Sequence, residues 1–138
     1  MIHFQSNFFH MTNVLDLIGR IFISALFLIS AYNKVFNLEG SMAWMEGFGI
    51  PGFLIFPAIA VEIILPVLVI VGYQARIAAG ILAVFCLITA FLFHFDFSDQ
   101  SQFVSFLKNI GLAGGFLFIV ANGTKDWAVD KEKKYVRL

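Results

Sequence analysis

The sequence predicts an all-α protein, a bundle of four transmembrane helices with both termini cytoplasmic. Three observations carry that expectation. The 138 residues are 60% hydrophobic and 13% charged, with a mean hydropathy of +0.89, whereas a soluble domain is about 45–50% apolar and about 25% charged. The apolar residues fall into four stretches, each near the roughly 20 residues that cross a bilayer core. Lys and Arg gather after the fourth stretch and beside the second turn, and the other two connections carry only acids.

The first span is expected over about Val14–Phe36. The segment before it, MIHFQSNFFHMTN, has no Lys or Arg and no small-residue cleavage site, so it reads as a short tail (1–13) and not as a cleaved signal peptide. The second span runs from Phe53 to Gly72, after the Gly-rich connection NLEGSMAWMEGFGIPG. A tight turn at Tyr73–Gln74 leads to the third, Ala75–Phe95. The acidic stretch Asp96–Gln102 leads to the fourth, Phe103–Asn122. The spans define one domain over 14–123, and 124–138 read as a charged, solvated cytoplasmic tail.

Orientation follows the Lys and Arg bias of short loops. Arg76, Lys125, Lys131, Lys133, Lys134 and Arg137 mark the inner side; Glu39, Glu46, Asp96 and Asp99 mark the outer connections. Trp44, Phe48 and Phe53 suit the outer interface and Trp127 the inner one.

Several function classes drop out on composition. The formal net charge is zero, which gives a nucleic-acid partner no electrostatic basis. A single cysteine, Cys86, rules out an intrachain disulfide or a CxxC pair and reads as a small apolar residue. The chain has no helical pair of His or Met to clamp a haem, no thiolate cluster, no phosphate-binding Gly loop, no GxSxG and no HExxH. No cofactor-ligating motif is evident and no metal site is expected, which leaves enzymatic activity open.

The informative residues are the ionisable ones inside the apolar stretches: Arg20, Lys34, Glu62, His94 and Lys108. A charge at a helix centre costs roughly 2.5–3.5 kcal/mol on the insertion scale, so such groups are expected to face one another. Helical spacing places Arg20, Ser24, Phe27, Ala31 and Lys34 on one stripe, and Ile55, Ala58, Glu62, Pro66 and Val69 on another. The third stripe is Arg76, Gly80, Ala83, Ala90 and His94, and the fourth Lys108, Leu112, Gly115 and Asn122. Gly111 and Gly115 stand in GxxxG spacing. Depth along the helices suggests an intramembrane ion pair between Arg20 and Glu62, and a second polar level of Lys34, His94, Lys108 and Asn109 open toward the outer face. Pro66 leaves the Glu62 carbonyl without its helical donor. The bland alternative is that Lys34 and His94 snorkel to the interface and that a buried pair only sets helix register.

The order of these features resembles the DoxX family of small four-helix membrane proteins. The resemblance covers most of the chain. In GRIFISALFLISAYNKVFN, Arg20 and Lys34 stand at the family's Arg and Lys positions. Trp44 and GFGIPG follow. AVEIILPVLVIVGYQARIAA supplies the Glu, the Gly turn and the Arg that opens the third helix. FHFDFSDQSQFVSFLKNIGLAGG supplies His94, Lys108 and Asn109. The family is named for a small subunit linked to an archaeal terminal quinol oxidase and to thiosulfate:quinone oxidoreduction. Other members are described as membrane partners in handling thiol and oxidative stress.

The resemblance implies a multi-pass protein of the cell membrane, in bacteria the inner membrane. It further implies a redox-associated subunit binding a quinone or a small sulfur compound in its polar seam, with redox proteins or further copies of the chain as partners besides the lipid bilayer. Two alternatives stand beside it: a small-solute transporter using Glu62 at the midplane, and a non-catalytic scaffold of a membrane complex. The orientation is directly testable. In intact cells a Lys133→Cys variant should resist a membrane-impermeant thiol reagent and Ser41→Cys should react; the reverse pattern would invert the topology.

Overall fold

The computed structural model describes residues 1–130, in which all regular structure is helical and no strand is present. In order these are α1 (Ile2–Phe36), α2 (Leu38–Glu46), α3 (Ile55–Val71), α4 (Ala75–Phe93) and α5 (Gln100–Asn122), with a 3-10 turn at Gly52–Leu54 leading into α3. Four helical segments are long and apolar enough to cross a membrane: α1, Gly52–Val71, α4 and α5. Lys131, Lys133, Lys134 and Arg137, which carry part of the expected orientation, lie outside the described residues.

Helix α1 is longer than the sequence suggests. Residues 2–13, expected as a tail, continue the helix, because no Gly or Pro occurs before Gly19 to stop it. The Gly-rich outer connection also contains structure. Leu38, Met42 and Met45 share one side of α2 at helical spacing, and Met45 is buried. Trp44 packs on Phe93 at a centroid distance of 4.7 Å and on Phe48 at 4.9 Å. The connection therefore lies across the end of the bundle opposite the chain termini, anchored to the last turn of α4. On the far side of that end, Asp99 caps α5: the Ser101 amide donates to it at 2.9 Å and the Ser101 hydroxyl at 2.8 Å. These bonds hold the Asp99 carboxyl below the usual carboxylate range. The cap therefore contributes fully above the ordinary Asp pKa and is lost as pH falls through the lowered value.

Helix α4 is the centre of the packing. Its Ala78, Ala79, Leu82, Ala83 and Cys86 form the core with Phe27 of α1, Val69 of α3, and Ala113 and Phe116 of α5. The small side chains let backbones approach closely, which drives association where lipid is as apolar as the helices themselves. Cys86 is accordingly a core residue. The inward stripes expected for α1 and α3 coincide with the buried faces, Arg20, Ser24, Phe27 and Ala31 in one and Ile55, Glu62, Pro66 and Val69 in the other. In α5 the buried residues are Ala113 and Phe116, so the face is turned by about one residue, or 100°, from the expected Lys108–Leu112–Gly115 stripe.

The segment after α5, expected as solvated tail, is built into the fold as far as Asp130. The amides of Lys125 and Asp126 donate to Asp16 and Asn13 of α1, each at 3.1 Å. The amides of Val129 and Asp130 donate to the carbonyls of Val71 and Gly72 at 3.0 and 2.7 Å. In return, the Asp130 carboxylate accepts from the amides of Gln74 and Ala75 at 2.9 and 3.0 Å, which caps α4. This strap joins α1, the α3–α4 turn and α5 at one end of the bundle, and it places the start of the first span and the end of the last on the same side.

Gly72 is the tightest point of the strap. It adopts φ 72°, and a Cβ there would lie 2.3 Å from the Ala128 Cβ. Gly72→Ala should lower stability in detergent by about 1–3 kcal/mol, from the left-handed backbone and the displaced strap together. Gly19→Ala, in the open interior of α1 with nothing within 4 Å of the new carbon, should be neutral or gain about 0.5–1 kcal/mol. Thermal unfolding of the two variants side by side checks the difference.

Candidate functional site

Two polar clusters occupy the two ends of the α1–α3 interface. At the strap end, Arg20 is 1% exposed. Its Nε donates to Asp16 Oδ2 at 3.0 Å, Nη1 to the carbonyls of Val69 and Ile70, and Nη2 to the carbonyl of Trp127 at 2.6 Å. The guanidinium thus closes the C-terminal turn of α3, whose last carbonyls have no helical donors. It is a structural clamp and does not line the cavity described below.

The second cluster lies one side of the midplane, toward α2. Lys34 Nζ donates to both carboxylate oxygens of Glu62 at 3.0 Å and to Ser30 Oγ at 2.6 Å; Ser30 Oγ in turn donates to Glu62 Oε1 at 3.3 Å. The expected Arg20–Glu62 pair is therefore replaced by two others, Arg20–Asp16 and Lys34–Glu62. The reason is the slant of side chains on a helix, toward its N-terminus. Since α1 and α3 are antiparallel, Lys34 leans down toward Glu62 and Glu62 leans up toward Lys34, while Arg20 leans away. The i,i+4 spacings Asp16–Arg20 and Ser30–Lys34 were the sequence signals for these partners.

This cluster forms part of the wall of a cavity of about 1120 Å³. The cavity reaches from Leu26, Ser30 and Lys34 of α1, beneath Ser41, Trp44 and Met45 of α2, past Ala58 and Glu62 of α3, to Phe85, Thr89 and Phe93 of α4 and Asn109 and Leu112 of α5. Of the ligand-binding candidates read from sequence, the structure brings Lys34, His94 and Asn109 to this one cavity and does not bring Lys108. Lys108 is exposed: it is adjacent to Asn109, and 100° of rotation turns it to the outside of α5. His94 Nδ1 is 2.8 Å from Gln102 Oε1, within hydrogen-bond distance. Thr89 returns its hydroxyl to the Phe85 carbonyl at 2.9 Å. Sequence reasoning passed over Ser30, Thr89, Gln102 and the cavity role of Trp44.

The electrostatic picture changes with these contacts. Lys34 has a carboxylate in direct contact and Lys108 is outside, so the cavity holds no lysine without a counter-charge. It is a site with one ion pair, a histidine, the amides of Asn33, Asn37 and Asn109, the hydroxyls of Ser30, Ser41 and Thr89, and aromatic walls. No group of three or more His, Cys, Asp or Glu able to hold a metal occurs among the described residues. A cavity of this kind suits an amphiphilic organic molecule.

An α-helical, four-span membrane protein with a polar cavity between its helices is the class defined by this architecture. The DoxX family profile matches residues 15–95, and the chain belongs to that family. It is similar to "Inner membrane protein YqjF" of Escherichia coli, with 32% identity over 115 residues that make up 83% of this chain and 88% of that protein. It is also similar to "Inner membrane protein YphA" of the same organism, 28% identical over 125 residues, 86% of this chain and 89% of that one. No solved structure matches it.

The Lys34–Glu62 contact generates a stability prediction. Breaking a buried pair typically costs about 3–5 kcal/mol, and the partial exposure of Lys34 puts this one near or below the lower end. Glu62→Ala should lower the unfolding temperature more than Glu62→Gln, which keeps a polar partner for the ammonium group. A double change of Lys34→Met with Glu62→Leu should recover much of the loss. Strict additivity of the two single changes in a double-mutant cycle would show that the pair is not coupled.

Proposed function

We propose that this inner-membrane protein binds the head group of a quinone in the cavity beneath α2 and serves as a redox-associated accessory subunit. The observation that carries the reading is the internal neutralisation of Lys34 by Glu62. A site with a compensated cation favours a neutral carbonyl over a free sulfur oxyanion, because an added anion would have to be desolvated without an unpaired positive charge to receive it. The Asn109 amide offers N–H donors to quinone oxygens, and Trp44, Phe85 and Phe93 offer flat apolar surfaces to the ring. The lining therefore fits a quinone: polar side chains are the minority and the walls are mostly apolar and aromatic, as in small-molecule sites generally. A quinone held there would supply two-electron acceptor chemistry, and the chain's own residues would bind and orient it for a partner protein.

The scaffold reading keeps one observation in its favour: α5 leaves Gly111 open, with nothing within 4 Å of a Cβ built there. Helix association through such small-residue surfaces needs no ligand.

Thermal shifts decide between them. A short-tailed quinone should raise the unfolding temperature of the purified protein, and thiosulfate should not. Asn109→Ala should lose most of the shift, since it removes a donor without touching the ion pair, and Lys108→Ala should keep it. A shift with thiosulfate alone would favour the sulfur compound. Absence of any shift, with a stoichiometric protein partner on purification, would favour the scaffold.

A further inference from the structure

We infer that the cavity opens sideways into the bilayer between α1 and α5, and that its ligand is a long-tailed amphiphile that enters from the lipid head first. This rests on the quinone reading above and extends it to the route and to the tail.

The geometry begins with how α5 is held. It leans on α4 along its length: Phe91 meets Phe106 at a centroid distance of 5.2 Å near the outer end, and Ala113 and Phe116 lie in the common core. Its approach to α1 is confined to the lower half. There Phe27 and Phe116 are 5.5 Å apart, and a Cβ built on Gly115 would lie 2.7 Å from Ile23 Cδ1. Above that point the two helices part. Leu26 and Ile29 of α1 and Asn109 and Leu112 of α5 all line the cavity, yet Leu26 is 44% and Ile29 60% exposed. Residues that line the cavity and are this exposed place its edge at the protein surface between α1 and α5.

Depth decides what that surface meets. Counting from Asn13 at the strap, Leu26 and Ile29 stand about 20–24 Å along the axis at 1.5 Å per residue, inside the roughly 30 Å hydrocarbon layer. Water is absent there and the opening faces acyl chains. At this depth its rim is apolar, formed by Leu26, Ile29 and Leu112, with the Asn109 amide at the inner lip; one turn higher on α1 the exposed Asn33 makes it polar. Beyond the lip lies the Ser30–Lys34–Glu62 cluster. Polarity thus rises from the rim inward, which matches a molecule whose polar head seats at the cluster while its tail stays in the gap among lipid chains. A free oxyanion would have to cross hydrocarbon to use this route, at a cost of several kcal/mol.

The test reads lipid access to the cavity directly. In a Trp44→Phe, Trp127→Phe background, Phe85→Trp places a single indole on the cavity wall; Thr89→Trp serves as a second position if the first fails to fold. In nanodiscs made with lipids brominated at mid-chain, the indole should lose most of its fluorescence relative to unbrominated lipid. Narrowing the gap with Ile29→Phe and Leu112→Phe together should restore it. The same pair of changes should abolish the thermal shift given by a long-tailed quinone and leave that of a tail-less quinone intact. An unquenched indole, or quenching unaffected by the narrowed gap, overturns the lateral opening. Quenching that responds to the gap while no quinone shifts the wild type upholds the opening and overturns the quinone reading instead.

Discussion

Arg20 is the group on which the lower half of the molecule depends. An unpaired guanidinium inside a bilayer is costly enough to forbid the fold, yet this one is almost wholly buried. It is tolerated because every direction of its donor fork finds an acceptor: Asp16 one turn back on its own helix, the last carbonyls of α3, and the Trp127 carbonyl beyond α5. The carbonyls that end α3 would be short of a partner without it. The carbonyls ending α3 have no helical N–H to receive, and the strap has no other side-chain tie to α1 at that level than Asp16 and Asn13 among the described residues. One side chain therefore joins three elements distant in sequence, and the burial of the charge is the condition for their meeting.

The bundle that results has two unlike halves. Toward the strap, α4 presents Ala75, Ala78, Ala79 and Ala83, and the neighbouring helices close on it. Toward α2, the residues that meet across the bundle are large and rigid, Trp44, Phe85 and Phe93, or polar and paired, Lys34 and Glu62. Small side chains permit close backbone contact; aromatic rings and ion pairs hold helices apart. The cavity is the volume left by that change of residue type along the helices. Helix α2 lies over its end through the stacking of Trp44 on Phe93, and the lower contact of α5 with α1 sets where the sideways opening begins.

This division assigns different work to the two ion pairs. Arg20–Asp16 sits in closely packed protein and holds elements together. Lys34–Glu62 borders a cavity, and its charges cancel in place. Ionisable residues inside a membrane pair with one another or with backbone carbonyls; here the surrounding volume separates the two pairs.

Much of this was legible in the residues. Hydropathy and the 3.6-residue period predicted four spans, the inward faces of α1 and α3, and the presence of buried charge, because lipid imposes those rules on each helix alone. The motifs carrying the DoxX resemblance led to the family that the profile then matched. What the single-helix rules could not reach was relational. The choice of Lys34 over Arg20 as the partner of Glu62 depends on the antiparallel packing of α1 against α3 and the opposed slant of their side chains. The exclusion of Lys108 from the cavity depends on how far α5 rotates to seat Ala113 and Phe116 on α4. The conversion of residues 124–130 from tail to strap depends on acceptors supplied by three other elements. The sequence by itself determined which segments enter the membrane and which of their residues are too polar to face it. The tertiary structure decided which of those residues meet, and where space remains between them, since pairing and volume belong to the contacts of several helices at once.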